Sequence, residues 1–189
     1  MTNLFTIGYE GAQLADFIRS LISSGVDTLV DVRELPLSRR KGFSKPSLAA
    51  ALKEHGICYV HNRWLGAPKP IRNRLRETGD YVTYFRQFNA YLETQSAVLE
   101  KLAKDYAESA VVLMCFEKDP SECHRSAVAR ELARIVAAEP VHLQVQGGSR
   151  RGSIPKAPRL HSGQGVPASS SPEARAATNS AGASPAIHP

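Results

Sequence analysis

The sequence predicts an α/β protein with a mainly parallel five-stranded sheet and helices on both faces, of the Rossmann-like kind, followed by a disordered carboxyl-terminal tail. Short apolar runs alternate over residues 1–146 with segments whose apolar residues recur at helical spacing. This alternation is typical of right-handed crossovers between parallel strands. From Gly147 onward the chain consists mostly of Gly, Ser, Pro and Ala and has no apolar period, a composition that does not build a packed core. We therefore predict one domain over 1–146 and a tail over 147–189.

Five short apolar runs, bounded by polar residues or glycine, have the pattern of strands buried on both faces. They cover residues 4–8, 28–32, 57–61, 110–116 and 141–145. Helices are predicted where helix-forming residues dominate and apolar residues recur at helical spacing, over 14–23, 48–55, 84–106 and 125–138. Ser44 or Ser47 is expected to cap the second of these helices. An arginine-rich segment, 71–77, precedes the long third helix.

The net charge of +6 is mostly a property of the tail. Five of the 24 basic residues but only one of the 18 acidic residues lie from Gly147 onward. The net charge is therefore weak support for nucleic-acid binding. A basic arm adds affinity for polyanions, but we prefer to interpret the tail as an inert extension.

Cysteine content and hydropathy narrow the class of protein further. Three cysteines, two of them in predicted buried strands, do not suit a disulfide framework. The opening M-T-N-L-F-T-I does not have the pattern of a signal peptide. No apolar run approaches the roughly 20 residues that a membrane-spanning helix needs. These features predict a soluble, cytoplasmic protein without a membrane partner.

Polar side chains follow the carboxyl ends of four predicted strands. Parallel strands end at one edge of the sheet, where open α/β sheets bind ligands. We expect these side chains to converge there: Tyr9, Glu10, Asp31, Arg33, His61, Glu117, Cys123, His124 and Arg125. The last three directly precede or open a predicted helix, and a helix amino end attracts anions.

Several motifs at these strand ends carry a resemblance to a known family. They are T-I-G-Y-E-G at 6–11, V-D-V-R at 30–33, P-L-S-R-R-K-G-F-S at 36–44, G-I-C-Y-V-H at 56–61, L-G at 65–66 and M-C-F-E-K-D-P-S-E-C-H-R at 114–125. In this order they resemble the domain of unknown function 488 family, from about residue 6 to about residue 145, with the tail outside. The resemblance implies a compact α/β fold and no established reaction.

Basic residues crowd the loop after the second predicted strand, among them Arg33, Arg39 and Arg40. Guanidinium groups and free backbone N–H groups both donate to anion oxygens, so this loop and Arg125 together suit a phosphate or a carboxylate. We predict that Arg33 and Arg125 share one anion, and that Arg39 and Arg40 either help to bind it or are simply solvated. The arginines of the segment 71–77 are interpreted as solvated charges rather than as a nucleic-acid groove.

Cys115 and Cys123 have different surroundings in the sequence. Cys115 ends an apolar strand, and such a cysteine is usually a small core residue. Cys123 lies in a polar loop beside His124 and Arg125, and cationic neighbours at a helix start lower a thiol pKa. Neither cysteine has the Cys-x5-Arg spacing of phosphatase and sulfurtransferase loops, and with His124 they do not have the spacing of common zinc sites. Cys123 is therefore predicted to be the functional thiol.

Three carboxylates offer a different chemistry. Glu10, Asp31 and Glu117 end the first, second and fourth strands, which are neighbours if the first strand is central. Three acids at one place suit Mg²⁺ and phosphoryl transfer. Alternatively they pair with Arg33 and Arg125, because buried charges need partners.

The residues together predict an enzyme that acts on a phosphorylated or nucleic-acid substrate, either a hydrolase or an enzyme of phosphoryl or thiol chemistry. The candidates for chemistry are Cys123, His124, Glu117, Asp31 and His61. His61 and Tyr9 are the candidates for proton transfer. The candidates for substrate binding are Arg33, Arg39, Arg40, Arg125, Tyr9 and Glu10. The cofactor is left open; a divalent metal is a candidate, but no residue is assigned to one. The alternative is a non-catalytic module that binds a nucleotide, another small anion or a nucleic acid at the same rim.

Overall fold

The predicted α/β architecture is confirmed by a computed structural model that describes residues 3–147. Its strands are β1 (Asn3–Gly8), β2 (Thr28–Asp31), β3 (Cys58–His61), β4 (Ala110–Cys115) and β5 (Val141–Leu143). They form one sheet in the order β3-β2-β4-β1-β5, and neighbouring strands pair in parallel throughout. The predicted tail, 147–189, lies outside the described residues except for Gly147.

Six helices connect or cover the strands within the described residues. They are α1 (Leu14–Ser23), α2 (Lys45–Lys53), α3 (Lys69–Thr78), α4 (Tyr81–Glu93), α5 (Ser96–Asp105) and α6 (Arg125–Val136). Ser44 occupies the amino-terminal cap position of α2, as one of the two predicted residues. The arginine-rich segment is α3, none of whose residues is fully buried. Within 3–147 no helix is both long and apolar enough to cross a membrane.

The single long helix predicted over 84–106 is wrong, because this segment forms α4 and α5 with a break at Thr94 and Gln95. The Thr94 hydroxyl donates to the carbonyl oxygen of Tyr91 at 2.6 Å. A threonine that bonds to the preceding turn competes with the helical hydrogen bonds. The apolar period continues across the break, since Leu92 and Leu99 enter the same core. The apolar pattern alone therefore did not reveal it.

The central strand is β4 and not β1, the strand on whose central position the predicted grouping of Glu10, Asp31 and Glu117 depends. β4 pairs with β1 on one side and with β2 on the other. Five of its six residues are buried, as expected of a strand covered on both faces and flanked on both edges. The ends of β1, β2 and β4 are still adjacent, but β1 and β2 meet only through β4.

Helices pack on both faces of the sheet, and the residues of β4 alternate between two cores. Val111, Leu113 and Cys115 pack with buried residues of α4, α5 and α6, while Val112 and Met114 pack with those of α1 and α2. The chain therefore leaves β4 toward one face but leaves β1 and β2 toward the other. Such a divergence opens a crevice at the carboxyl ends of the strands.

Gly8, at the end of β1, allows the loop after β4 to approach this crevice closely. A Cβ atom on Gly8 would lie 1.8 Å from the carbonyl oxygen of Glu117. Beyond Gly8, the backbone N–H groups of Tyr9 and Glu10 donate to the carbonyl oxygens of Cys115 and Phe116, at 3.3 and 2.8 Å. This contact between backbones places the Glu117 loop at the ends of β1 and β4.

Candidate functional site

A cavity of about 570 Å³ opens at the carboxyl ends of the central strands. Residues from β4 and from the loops after β1, β2 and β4 line it, together with residues of α3 and α4; we call it the rim cavity. Its basic lining consists of Arg33, Arg39, Arg40, Arg72 and Arg76. Cys115, Glu117 and His124 line the same space. The rim cavity therefore combines guanidinium groups with side chains capable of acid–base or metal chemistry.

The arginines of the rim cavity differ in how many of their donors bind acceptors within the protein. Arg39 and Arg76 are exposed, and neither has an ion-pair or hydrogen-bond partner within residues 3–147. Arg40 donates to the Ala12 carbonyl oxygen at 2.7 Å. Arg72 pairs with Glu34, but its Nε atom is buried without a partner among the described residues. Donors without internal partners are available to an anion.

The guanidinium group of Arg33 is bound by neighbouring side chains. Its Nε and Nη2 atoms donate to the two carboxylate oxygens of Asp31 at 2.8 and 2.5 Å, and its Nη1 atom donates to the Tyr9 hydroxyl at 2.8 Å. Burial opposes the charged form of Arg33, but the carboxylate of Asp31 outweighs this effect and raises the arginine pKa above its ordinary value. The sequence left two roles open for Asp31, metal ligand or partner of an arginine. In the structure Asp31 is the partner of Arg33.

Arg125 is buried, and it does not line the rim cavity. Its Nη1 and Nη2 atoms donate to the backbone carbonyl oxygens of Glu117 and Lys118. The guanidinium group therefore holds the loop after β4 against α6. Its Nε atom is buried without a partner among the described residues. This arrangement does not support the prediction that Arg33 and Arg125 share one anion, because Arg33 lines the rim cavity and Arg125 does not.

Four side chains form a compact group at the rim cavity, which we call the thiol cluster: Cys115, Glu117, Cys123 and His124. The Sγ atoms of Cys115 and Cys123 lie 3.1 and 3.0 Å from Oε2 of Glu117. The Cys115 Sγ atom also lies 3.8 Å from Nδ1 of His124. One candidate ligand atom from each residue lies within 4.8 Å of all the others.

Burial and hydrogen bonding set the protonation of the thiol cluster. Burial raises the pKa of Cys115 above its ordinary value and that of Cys123 well above it. Burial also acts to raise the pKa of Glu117, but hydrogen bonds from the thiols and the charge of His124 outweigh it and hold this pKa below its usual range. At neutral pH, Glu117 is therefore a carboxylate and both cysteines are thiols.

The expectation that Cys123 is a thiolate of lowered pKa is wrong. The loop is polar in sequence, but the Cys123 side chain is only 1% exposed and belongs to the core beside α6. The expectation depended on two cationic neighbours, Arg125 and His124. Arg125 is bound to backbone carbonyl groups, and burial of Cys123 outweighs the effect of His124, which acts to lower the Cys123 pKa. Cys115, interpreted as a packing residue, is buried but lines the rim cavity, which Cys123 does not.

Three further candidates lie outside the lining of the rim cavity. Asp31 is fully buried. Glu10 is exposed, and its carboxylate accepts a hydrogen bond from the backbone N–H of Lys118 at 3.0 Å. His61 ends β3, with its Nε2 atom 2.9 Å from the carbonyl oxygen of Arg33. Of the five residues proposed for chemistry, Glu117 and His124 are the two that reach the rim cavity.

The rim cavity also presents apolar surface. Four large apolar side chains that are exposed to solvent line it: Leu35, Leu37, Tyr81 and Phe116. Tyr9, predicted as a substrate-binding residue, lines it as well and stacks on Phe43 with ring centroids 4.5 Å apart. Apolar side chains beside arginines suit an anion that carries an apolar or aromatic part.

Sequence reasoning missed the contribution of α3 to the rim cavity. Arg72 and Arg76 are one helical turn apart and therefore share a face of the helix, and both line the cavity, whereas Arg74 does not. The four-residue spacing of Arg72 and Arg76 indicates that they lie on one face of the helix. The alternation of arginines in this segment is more typical of a solvated helix, so the sequence did not predict a binding role for them.

Residues 13–132 match a family model described as Domain of unknown function DUF488, and the chain belongs to this family. The match extends from the start of α1 into α6 and includes the whole thiol cluster. No curated protein and no solved structure matches the chain. The family description names no reaction, so a functional conclusion depends on the chemistry of the site.

Proposed function

We propose that the protein is an enzyme that acts on a phosphorylated or nucleic-acid substrate bound in the rim cavity. The proposal rests on one observation: Arg39 and Arg76, which have no partners among residues 3–147, line the same cavity as Glu117 and His124. An anion clamp beside acid–base groups is the arrangement that phosphoester chemistry requires.

The arginines supply the anion-binding part of the proposal. Arg39 and Arg76 come from two different elements, the loop after β2 and α3, and contribute to the same lining. The buried Nε atom of Arg72 adds a donor without a partner among the described residues. Phosphate oxygens would satisfy these donors with charge-assisted hydrogen bonds.

The apolar lining favours a substrate larger than inorganic phosphate. Leu35, Leu37, Tyr81 and Phe116 offer contact area for a base or another flat organic group. Stacking of bases on aromatic side chains, combined with arginine contacts to the backbone, is typical of nucleotide and single-strand recognition.

Glu117 is the residue best suited to chemistry in the rim cavity. Its lowered pKa keeps it ionised at neutral pH, so it can take a proton from an attacking water as a general base. The cysteines are poorly suited to be nucleophiles, because burial raises their pKa values and the thiolate is the reactive form. Hydrolysis is therefore the favoured reaction class.

A charge-matched pair of variants tests anion binding. We expect Arg39→Ala with Arg76→Ala to weaken binding of a labelled single-stranded oligonucleotide by about tenfold or more. The control is Lys41→Ala with Arg74→Ala, which removes the same charge from exposed neighbours outside the cavity lining. Fluorescence anisotropy at fixed ionic strength measures both affinities. Equal losses in the two double variants would contradict the proposed site.

Turnover separates an enzyme from a binding module. Phosphomonoester and phosphodiester model compounds should be hydrolysed by the wild-type protein, and Glu117→Gln should abolish hydrolysis while oligonucleotide affinity stays within about threefold. Product release over time measures this, with thermal unfolding as a check on folding. Binding without turnover of any such compound would instead support the non-catalytic alternative.

A further inference from the structure

We infer that the thiol cluster binds one Zn²⁺-like divalent ion, with Cys115, Cys123 and His124 as ligands and Glu117 completing the coordination. This inference goes beyond the proposed function. The two share Glu117, which as a metal ligand would no longer be a free general base, but the arginine donors that bind the anion are not part of the metal site. It assigns to Cys123 the role of a metal ligand. A buried position makes this cysteine unsuitable as a nucleophile but does not prevent it from binding a metal.

The distances within the thiol cluster are close to those of a tetrahedral site. Ligand atoms about 2.0–2.3 Å from a zinc ion are separated from each other by roughly 3.3–3.8 Å. The two sulfurs lie 3.1 and 3.0 Å from Glu117 Oε2, and the Cys115 sulfur lies 3.8 Å from His124 Nδ1. The other pairs of candidate ligand atoms lie within 4.8 Å of each other, so the four groups would surround an ion after displacements of about 1 Å or less.

His124 is oriented as a metal ligand normally is. Its Nε2 atom lies 3.0 Å from the Val32 carbonyl oxygen. A carbonyl oxygen only accepts, so Nε2 carries a proton and the lone pair of the neutral ring is on Nδ1. The Cys115 sulfur lies 3.8 Å from Nδ1 and 4.0 Å from Nε2. A histidine that donates its second N–H to a backbone carbonyl is the usual arrangement around a bound metal, because it fixes the tautomer and the ring orientation.

The charge of the cluster is compatible with a buried divalent ion. Both thiols donate to the Glu117 carboxylate. On binding, the two thiol protons leave to solvent, and a charged His124 also loses its Nδ1 proton; two metal–sulfur bonds and one metal–nitrogen bond form. The two positive charges of the ion balance the two new thiolates, so the occupied cluster carries only the negative charge of Glu117. The ion thus neutralises the buried thiolates.

The donor atoms select the class of metal. Two sulfurs and an imidazole nitrogen favour Zn²⁺ and similar ions, whereas Mg²⁺ requires oxygen ligands. The oxygen site considered from the sequence, with Glu10, Asp31 and Glu117, does not form, because Asp31 is bound to Arg33. The ligands come from the end of β4 and from the segment that leads into α6, which explains why their spacing does not match common zinc motifs.

Cobalt provides a spectroscopic test on the full-length protein after removal of metal by a chelator. We expect one Co²⁺ per chain, with a sulfur-to-cobalt charge-transfer band and the strong visible absorption of a tetrahedral site. Cys123→Ala leaves Cys115 as the one sulfur ligand of the cluster, so the band per bound cobalt should fall to roughly half. The variant should bind at least about 100-fold more weakly, a larger loss than removal of a residue outside the ligand set causes. Cys58→Ser is the matched control, because Cys58 is exposed and lies outside the cluster, and its spectrum should equal that of the wild type.

Thiol protection in the wild-type chain provides a measurement that does not depend on a variant's folding. In mild urea, Zn²⁺ should slow the modification of Cys115 and Cys123 by a thiol reagent at least tenfold and leave Cys58 unaffected. Absence of stoichiometric binding, a cobalt spectrum without the sulfur band, or equal modification rates with and without Zn²⁺ would overturn the inference. Oligonucleotide affinity of the metal-free wild type and of its Arg39/Arg76 double variant tests the anion site separately.

Discussion

At the scale of single residues, the pair of Asp31 and Arg33 organises the rim. Asp31 is fully buried and Arg33 is 6% exposed, and the guanidinium binds both carboxylate oxygens. Tyr59 donates a further hydrogen bond to Asp31 at 2.6 Å, and Arg33 also donates to the Phe43 carbonyl oxygen at 3.0 Å. The pair therefore ties the end of β2 to β3 and to the loop that carries Arg39 and Arg40.

We expect Asp31→Asn to lower the free energy of unfolding by about 3–5 kcal/mol, because it leaves the buried Arg33 without a counter-charge. Urea denaturation at pH 7 measures the change. The control is Asp105→Asn, which removes the exposed partner of Lys101 and should cost no more than about 1 kcal/mol. Similar losses in the two variants would show that the buried pair is not a determinant of stability.

The two buried cysteines show how a residue's role depends on its neighbours in space. Both thiols donate to the same carboxylate oxygen, although eight positions separate them in the chain. In sequence they are a strand residue and a loop residue with different roles. In the structure they belong to one group with Glu117 and His124.

At the scale of elements, the end of β1 and the loop after β4 are held together by backbone contacts. Because Gly8 has no side chain, the backbone of Glu117 can lie against the end of β1. The buried Arg125 of α6 donates hydrogen bonds to the carbonyl oxygens of Glu117 and Lys118. Glu117 therefore lies on a short loop that is bound on both sides. A rigid loop of this kind keeps a functional carboxylate in place.

We expect Gly8→Ala to lower the free energy of unfolding by about 1–3 kcal/mol, because the added methyl group would overlap the backbone of Glu117. The same shift should weaken Co²⁺ binding by the thiol cluster. Denaturant unfolding and the cobalt titration measure the two effects. Gly147→Ala is the control, since nothing lies within 4 Å of a Cβ atom there. A fully stable Gly8→Ala protein would mean that the loop after β4 moves freely.

At the scale of the whole molecule, residues 3–147 form a doubly wound sheet with two cores, and the rim cavity lies where the crossovers diverge. The residues beyond Gly147 carry five of the basic residues of the chain. From their composition we propose that the stability of residues 3–147 does not depend on them.

A chain that ends at Gly147 should therefore keep the free energy of unfolding of the full-length protein to within about 0.5 kcal/mol. Inorganic phosphate binding should also be unchanged, because Arg39 and Arg76 remain. Urea denaturation and calorimetric titration with phosphate provide the measurements. A large loss of stability on truncation would show that the tail packs on the domain.

Much of the fold could be predicted from the sequence because its signals are local. An uninterrupted apolar run such as 110–116 predicts a buried strand, and helical spacing over 125–138 predicts the helix that follows. The break at Thr94 could not be predicted in this way, since one side-chain hydrogen bond ends α4 while the apolar period continues. The position of β4 at the centre of the sheet depends on which strands pair, and the sequence pattern does not record strand pairing.

The sequence by itself determined the parallel α/β architecture, the edge of the sheet where the polar residues gather, and the family. Apolar periodicity and the common direction of parallel strands are sufficient for the first two conclusions, and the resemblance of the ordered motifs indicated the family. Only the tertiary structure decided which arginines have partners, that Cys123 is buried, and that Cys115, Glu117, Cys123 and His124 form one group. These properties depend on distances between side chains from different elements, because burial and hydrogen bonding shift a pKa or satisfy a charge only at contact range.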